Sequence, residues 1–194
     1  MRHTAEYVFS IGSVLICAAM TIPSVTASRA MPIESVTDQI SSYKKWARVN
    51  PEPLQLPAAL NTLCAAPSAA TKDPAYSSSN PHRQKFFTVY VNDIGERAML
   101  NELTPRFPAG SIVVKEKLPS RESREPELLT AMIKRERGFN PQSGDWEFLV
   151  LDGSGKKIEA RGKLETCQSC HAMKKNSDFV FRSYLTEETR RELR

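Results

Sequence analysis

Three side chains within five residues, Cys167, Cys170 and His171 in the run CQSCH, have the types and the spacing to hold a cofactor. Two thiols with two residues between them reach the two vinyl groups on one edge of a porphyrin. The histidine that follows lies under the iron and supplies a nitrogen ligand, as in c-type haem attachment. Other uses of these residues have other requirements. A structural zinc site needs a fourth ligand, and in the mature chain only Cys64 and His82 remain to supply it. A thioredoxin-type redox pair opens a helix in a βαβ unit, a pattern absent around this run. A disulfide leaves His171 without a role. The residues therefore point to one covalent haem c with His171 on the iron.

The second face of that iron is less determined. Met99, Met132, Met173 and His82 are the residues whose types suit it. Met173 stands too close to His171 to reach the opposite face, and Met132 alternates with apolar strand residues as a core side chain does. No methionine lies in a loop of ligand-like character. An open distal site is expected, and with it binding or catalysis of a small molecule.

Such a haem is attached outside the cytoplasm in bacteria, and the chain starts accordingly. MRHTAEY precedes the apolar VFSIGSVLICAAMTI, too short to span a bilayer comfortably, and PSVTASRA follows. Residues 1–30 read as a secretory signal cleaved after Ala27 or Ala30, placing the protein in the periplasm or otherwise outside, with no stable membrane anchor after cleavage. Ile16, before Cys17, is too bulky for a lipoprotein site. Cleavage removes Cys17 and leaves Cys64 as the odd cysteine, expected as a buried thiol or an intermolecular disulfide.

The elements that must position the site follow from length and periodicity. With 194 residues, 40% of them hydrophobic and 25% charged, the mature chain is long enough for one ordinary globular domain. The net charge of +5, from 27 basic and 22 acidic residues of interspersed sign, carries no nucleic-acid signature. Residues 31–50 predict a helix with Ile33, Val36, Ile40, Tyr43 and Ala47 on one face, ending at NPEP. LQLPAALNTLC suggests a short second helix, and a Pro- and Ser-rich linker runs to about residue 80. From there the period is two. KFFTVYVN, IVVKEKL, LLTAMIKRE, WEFLVLD and KIEARGKL read as five strands, with a short helix capped by Asp93 after the first and the turn DGSGK between the last two. The fold class is α+β: an N-terminal helix and linker over 31–80, then an antiparallel meander with a C-terminal haem segment over 81–194, the two forming one structural unit.

In chain order these pieces resemble the cytochrome P-460 family of exported c-type haem proteins. YKKW resembles its N-terminal helix, FTVYVND its first strand, FPAGSIVVKEK its characteristic turn and strand, GFNPQSGDWEFLVLD the next hairpin, and CQSCHAMKKNSDFVF its haem segment. Together they cover residues 43–184. The resemblance implies a β-sheet core that forms dimers and a single haem. It also implies thioether sites at Cys167 and Cys170, the proximal ligand at His171, and a covalent bond from Lys115 to the macrocycle. Only a neutral amine attacks an electrophilic ring, and burial favours that form. By residue pattern alone, Lys115 and Lys117 share a strand face, which predicts a solvated face. Where cross-linked members carry a distal arginine, this chain has Phe87, beside Phe86. Related beta-type cytochromes c-prime carry phenylalanine there and bind nitric oxide, although a strand phenylalanine more often simply fills the core.

Three functions are therefore open: oxidation of hydroxylamine, with or without nitric oxide, to nitrous oxide; nitric oxide binding; and electron transfer. The expected partners are a small nitrogen-oxide ligand or substrate, a redox protein and a second copy of the chain, with no nucleic acid. Oxidation needs a proton acceptor. Glu116, Asp145, Glu147 and Asp178 lie in matched segments, but each reads as a surface charge or helix cap. Trp146 is expected near the haem or under the sheet.

Overall fold

The computed structural model describes residues 33–57 and 85–192, so the expected leader, the linker, Cys64 and His82 lie outside the described residues. Seven strands form one antiparallel sheet: β1 (Ala47–Arg48), β2 (Leu54–Gln55), β3 (Phe86–Val91), β4 (Ile112–Leu118), β5 (Leu128–Lys134), β6 (Trp146–Asp152) and β7 (Ile158–Gly162). Strands β3 to β7 follow one another as a meander, and both β1 and β2 pair with β3. The α+β class and the antiparallel order are those expected. Periodicity shows five strands because β1 and β2, two residues each, are too short to show a period and are separated by a stretch holding Pro51 and Pro53.

The helix expected over 31–50 ends much earlier. Helix α1 covers Ile33–Ser41, followed by a 3-10 turn at Tyr43–Lys45 and then β1. The hydroxyl of Ser41 donates to Asp38 O at 2.6 Å and that of Ser42 to Gln39 O at 3.3 Å, so two serines take over the last carbonyls. The residues expected as the start of a second helix are β2 instead. Helix α2 (Asp93–Leu100) is capped one residue before Asp93, by Asn92, whose side chain accepts from Gly95 N at 3.2 Å. Helices α3 (Glu165–His171) and α4 (Glu187–Glu192) follow the last strand. None of the described helices is long and apolar enough to cross a membrane.

Alternation along the strands makes two cores. One face presents Ile112, Val114, Leu129, Ala131, Ile133, Leu149 and Leu151, which Val36, Ile40 and Tyr43 of the N-terminal segment cover. The other presents Phe87, Val89, Val91, Val113, Met132, Trp146 and Phe148, covered by α2 and by Phe179, Val180 and Leu185. Covering on the second face is partial.

Candidate functional site

On the second face, between the sheet and the segment running from α3 to Tyr184, the chain leaves a cavity of about 300 Å³. Its floor follows from strand register. Val89, Lys115, Thr130 and Val150 lie in one row across β3 to β6, and Val113, Met132 and Phe148 in the next. Its cover brings Cys167, Cys170, His171 and Tyr184 over that floor. Every site residue expected from the sequence, Phe87, Lys115, Cys167, Cys170 and His171, lines this one space.

The thiols and the imidazole reach it together because α3 is helical. Residues three and four apart share a helix face, so Cys167, Cys170 and His171 present one edge. Gln168, between them, faces elsewhere and fixes the helix. Its Oε1 accepts from Asn140 Nδ2 at 3.0 Å and from Ser143 Oγ at 2.9 Å, and its Nε2 donates to Lys163 O at 2.9 Å.

His171 is held as a ligand-competent neutral imidazole. Its Nδ1 lies 2.7 Å from Phe179 O. A carbonyl only accepts, so Nδ1 carries the proton and Nε2 keeps its lone pair. Burial pushes its pKa down to about 4, against the opposing effect of the Phe179 hydrogen bond and with a further lowering from the Lys115 charge. The ring stands between Phe148 and Phe181, with centroids at 5.4 and 5.1 Å.

The far end of the cavity is aromatic and apolar. Phe87 meets Tyr184 edge to face at 5.9 Å, with Leu56 and Pro57 alongside. Strand β3, which carries Phe87, is three strand spacings from β6, which carries Phe148 beneath His171, a separation of about 14 Å. Lys115 and Thr130 occupy the floor between these ends. Burial pushes the Tyr184 phenol well above its ordinary range, so its hydroxyl stays protonated.

Several expectations are corrected here. Lys115 does not face solvent: it is half-buried in the cavity wall. Lys117 is buried too, with its ammonium 3.4 Å from Glu127. The four carboxylates are not free surface charges, although Asp178 does cap a helix, the 3-10 turn Ala172–Ser177. Glu116 and Glu147 are buried on the opposite face of the sheet, Glu116 accepting from Tyr43 Oη at 2.6 Å and Glu147 from Arg161 Nε at 2.7 Å. Asp145 closes the β5–β6 loop by accepting from Asn140 N at 2.8 Å, and Asp178 is buried against Lys134. Met132 lines the floor, Met99 is fully buried, and Met173 is exposed. Trp146 is fully buried and donates through Nε1 to Asp178 O at 2.7 Å. Tyr184, Thr130, Phe148 and Phe181 were not singled out from the sequence. Period two would have placed Thr130 on the face of Lys115; nothing local marks Tyr184.

The donor set fits a c-type haem: a neutral imidazole with a fixed Nδ1–H, two thiols on the same helix edge and an aromatic enclosure. Among the described residues no group of three His, Cys, Asp or Glu side chains is placed to hold a metal ion by itself. The family model described as Cytochrome P460 matches residues 68–182, more than half of the chain, a span that holds Phe87, Lys115, Cys167, Cys170 and His171. No curated protein matches it.

Proposed function

The chain belongs to the cytochrome P460 family of haem proteins, and from that premise we propose that it is an exported mono-haem protein that oxidises hydroxylamine to nitrous oxide. Cys167 and Cys170 form the thioether bonds, and His171 Nε2 is the proximal ligand. The observation that carries the reading is the position of Lys115. A lysine that the strand pattern assigns to solvent stands instead in the same cavity as Cys167, Cys170 and His171. Its Nζ is the nitrogen for a covalent bond to the macrocycle. That bond replaces one N–H and one ring C–H, and gives up two protons and two electrons to an added oxidant.

When bound, the haem supplies an electron acceptor and an open coordination position. Two hydroxylamines yield one nitrous oxide, one water, four protons and four electrons, and the electrons leave to a redox partner protein. The chain's own residues have separate parts in this. His171 holds the iron side, while Phe148 and Phe181 keep water from its ring. Thr130 and the Tyr184 hydroxyl are the polar groups that meet substrate between the floor and the far end.

Phe87 supports a second reading. Its ring at the far wall makes that end apolar, which suits uptake of nitric oxide without proton transfer. The two readings separate on one comparison, wild type against Lys115→Met, each matured in a periplasm that attaches haem. Hydroxylamine oxidation requires a red-shifted Soret band in the reduced wild type, a haem peptide that also contains Lys115, and loss of both with hydroxylamine turnover in the variant. An ordinary high-spin c-type spectrum, identical in the two proteins and without turnover, supports the nitric oxide binder.

A further inference from the structure

The backbone that holds His171 is strained, and side chains outside the cavity enforce the strain. Asp178 and Phe179 are consecutive non-glycine residues with φ of 52° and 64°. Such conformations are uncommon and persist where the surroundings over-determine them. Here they do. The Asp178 carboxylate accepts from Lys134 Nζ at 2.7 and 2.8 Å and from Phe107 N at 2.8 Å. Its own carbonyl accepts from Trp146 Nε1 at 2.7 Å, and the next amide, Phe179 N, donates to Lys174 O at 2.8 Å. The Phe179 ring occupies the space beside Gly144, where a Cβ would come within 2.6 Å of it. The carbonyl left free to turn inward is that of Phe179, and it meets His171 Nδ1 at 2.7 Å.

We propose that Asp178, clamped by Lys134, is a positioning residue for His171: it fixes the turn whose Phe179 carbonyl accepts the Nδ1 proton and so sets the donor strength of Nε2 toward iron. This rests on His171 being the haem ligand. The Lys134–Asp178 pair is largely removed from water, with side-chain exposures of 13% and 8%. In that setting a charge-assisted double contact holds its geometry. A firm hydrogen bond at Nδ1 raises the basicity of the ligand and favours ferric iron. The carboxylate that sets this bond lies outside the cavity and touches neither substrate nor haem.

The test uses haem-loaded wild type, Asp178→Asn, Lys134→Met, Lys134→Arg and a distant control, Tyr43→Phe. Two quantities are read: the ferric-to-ferrous ratio at a fixed potential, and the iron–histidine stretching frequency of the ferrous protein. Asp178→Asn is expected to shift the ratio toward ferrous by about tenfold, the lower end for loss of an outer-shell partner, which is about 59 mV for one electron. It lowers the stretching frequency as well. Lys134→Met moves both in the same direction by less, and Lys134→Arg restores them. Tyr43→Phe lowers the melting temperature and moves neither. The clamp is overturned if the Asp178 and Lys134 variants lose stability while ratio and frequency stay at wild type. If Asp178→Asn does not accumulate, the two Lys134 variants decide by the same criterion. A wild type without haem defeats the ligand assignment itself, and the clamp with it. A loaded wild type with unmoved variants defeats the clamp alone.

Discussion

Glu116 and Lys115 are neighbours on β4, yet they belong to different molecules in all but connectivity. Glu116 points to the face covered by the N-terminal segment, where Tyr43 bonds it and Leu129 is its cross-strand neighbour. Lys115 points to the face that α3 covers only in part, where it shares a cavity with two thiols and an imidazole. On the closed face buried charge is matched within the protein: Glu116 with Tyr43, Glu147 with Arg161. On the open face the reactive side chains line the cavity, and the charge buried beside them is matched as well, Lys134 with Asp178. Buried core lies on both faces, with Glu116 set into the closed one and Lys115 into the cavity wall of the other. A pleated strand delivers both from adjacent residues.

Substitutions should therefore separate by face, and the largest effect falls on the open one. Replacing Cys167 and Cys170 together by alanine is expected to take covalent haem from one per chain to none by intact mass. Next comes Glu147→Ala on the closed face, which takes the carboxylate from Arg161 and from the buried Arg135 and is expected to cost about 3–5 kcal/mol in denaturant unfolding. Ile40→Ala, at a fully buried position, should cost about 3 kcal/mol and leave the haem spectrum unchanged. If haem attachment fails in this variant, the two faces are energetically coupled and the division is wrong. Tyr43→Phe removes one hydrogen bond to a buried carboxylate, for about 2 kcal/mol. The smallest effect is Thr130→Val on the cavity floor, within about 0.5 kcal/mol by unfolding. A cost several times larger would make the floor part of the structural core.

The strands from β3 onward were legible because alternation survives in FFTVYV, IVVKEKL and WEFLVLD whatever covers them. The grouping of Cys167, Cys170 and His171 was legible because their spacing is local to one helix. Lys115 was misjudged for a physical reason. Two lysines on one strand face read as solvated, but Lys117 is neutralised by Glu127, and the cover over Lys115 comes from residues 166–184. The carboxylates were misread in the same way. The partners of Glu116 and Asp178 lie far along the chain, 73 and 44 residues away, and no local pattern announces them. The early end of α1 was hidden because Tyr43 continues the apolar face of the helix while leaving its geometry.

The most direct measurement is the intact mass of protein matured in a haem-attaching periplasm, after acid extraction, followed by peptide mapping. A gain of one haem, located on the peptide that contains Cys167 and Cys170, is the expected result. Protein that is folded and cleaved but carries no added mass would contradict the central assignment, and with it the roles given to His171 and Lys115.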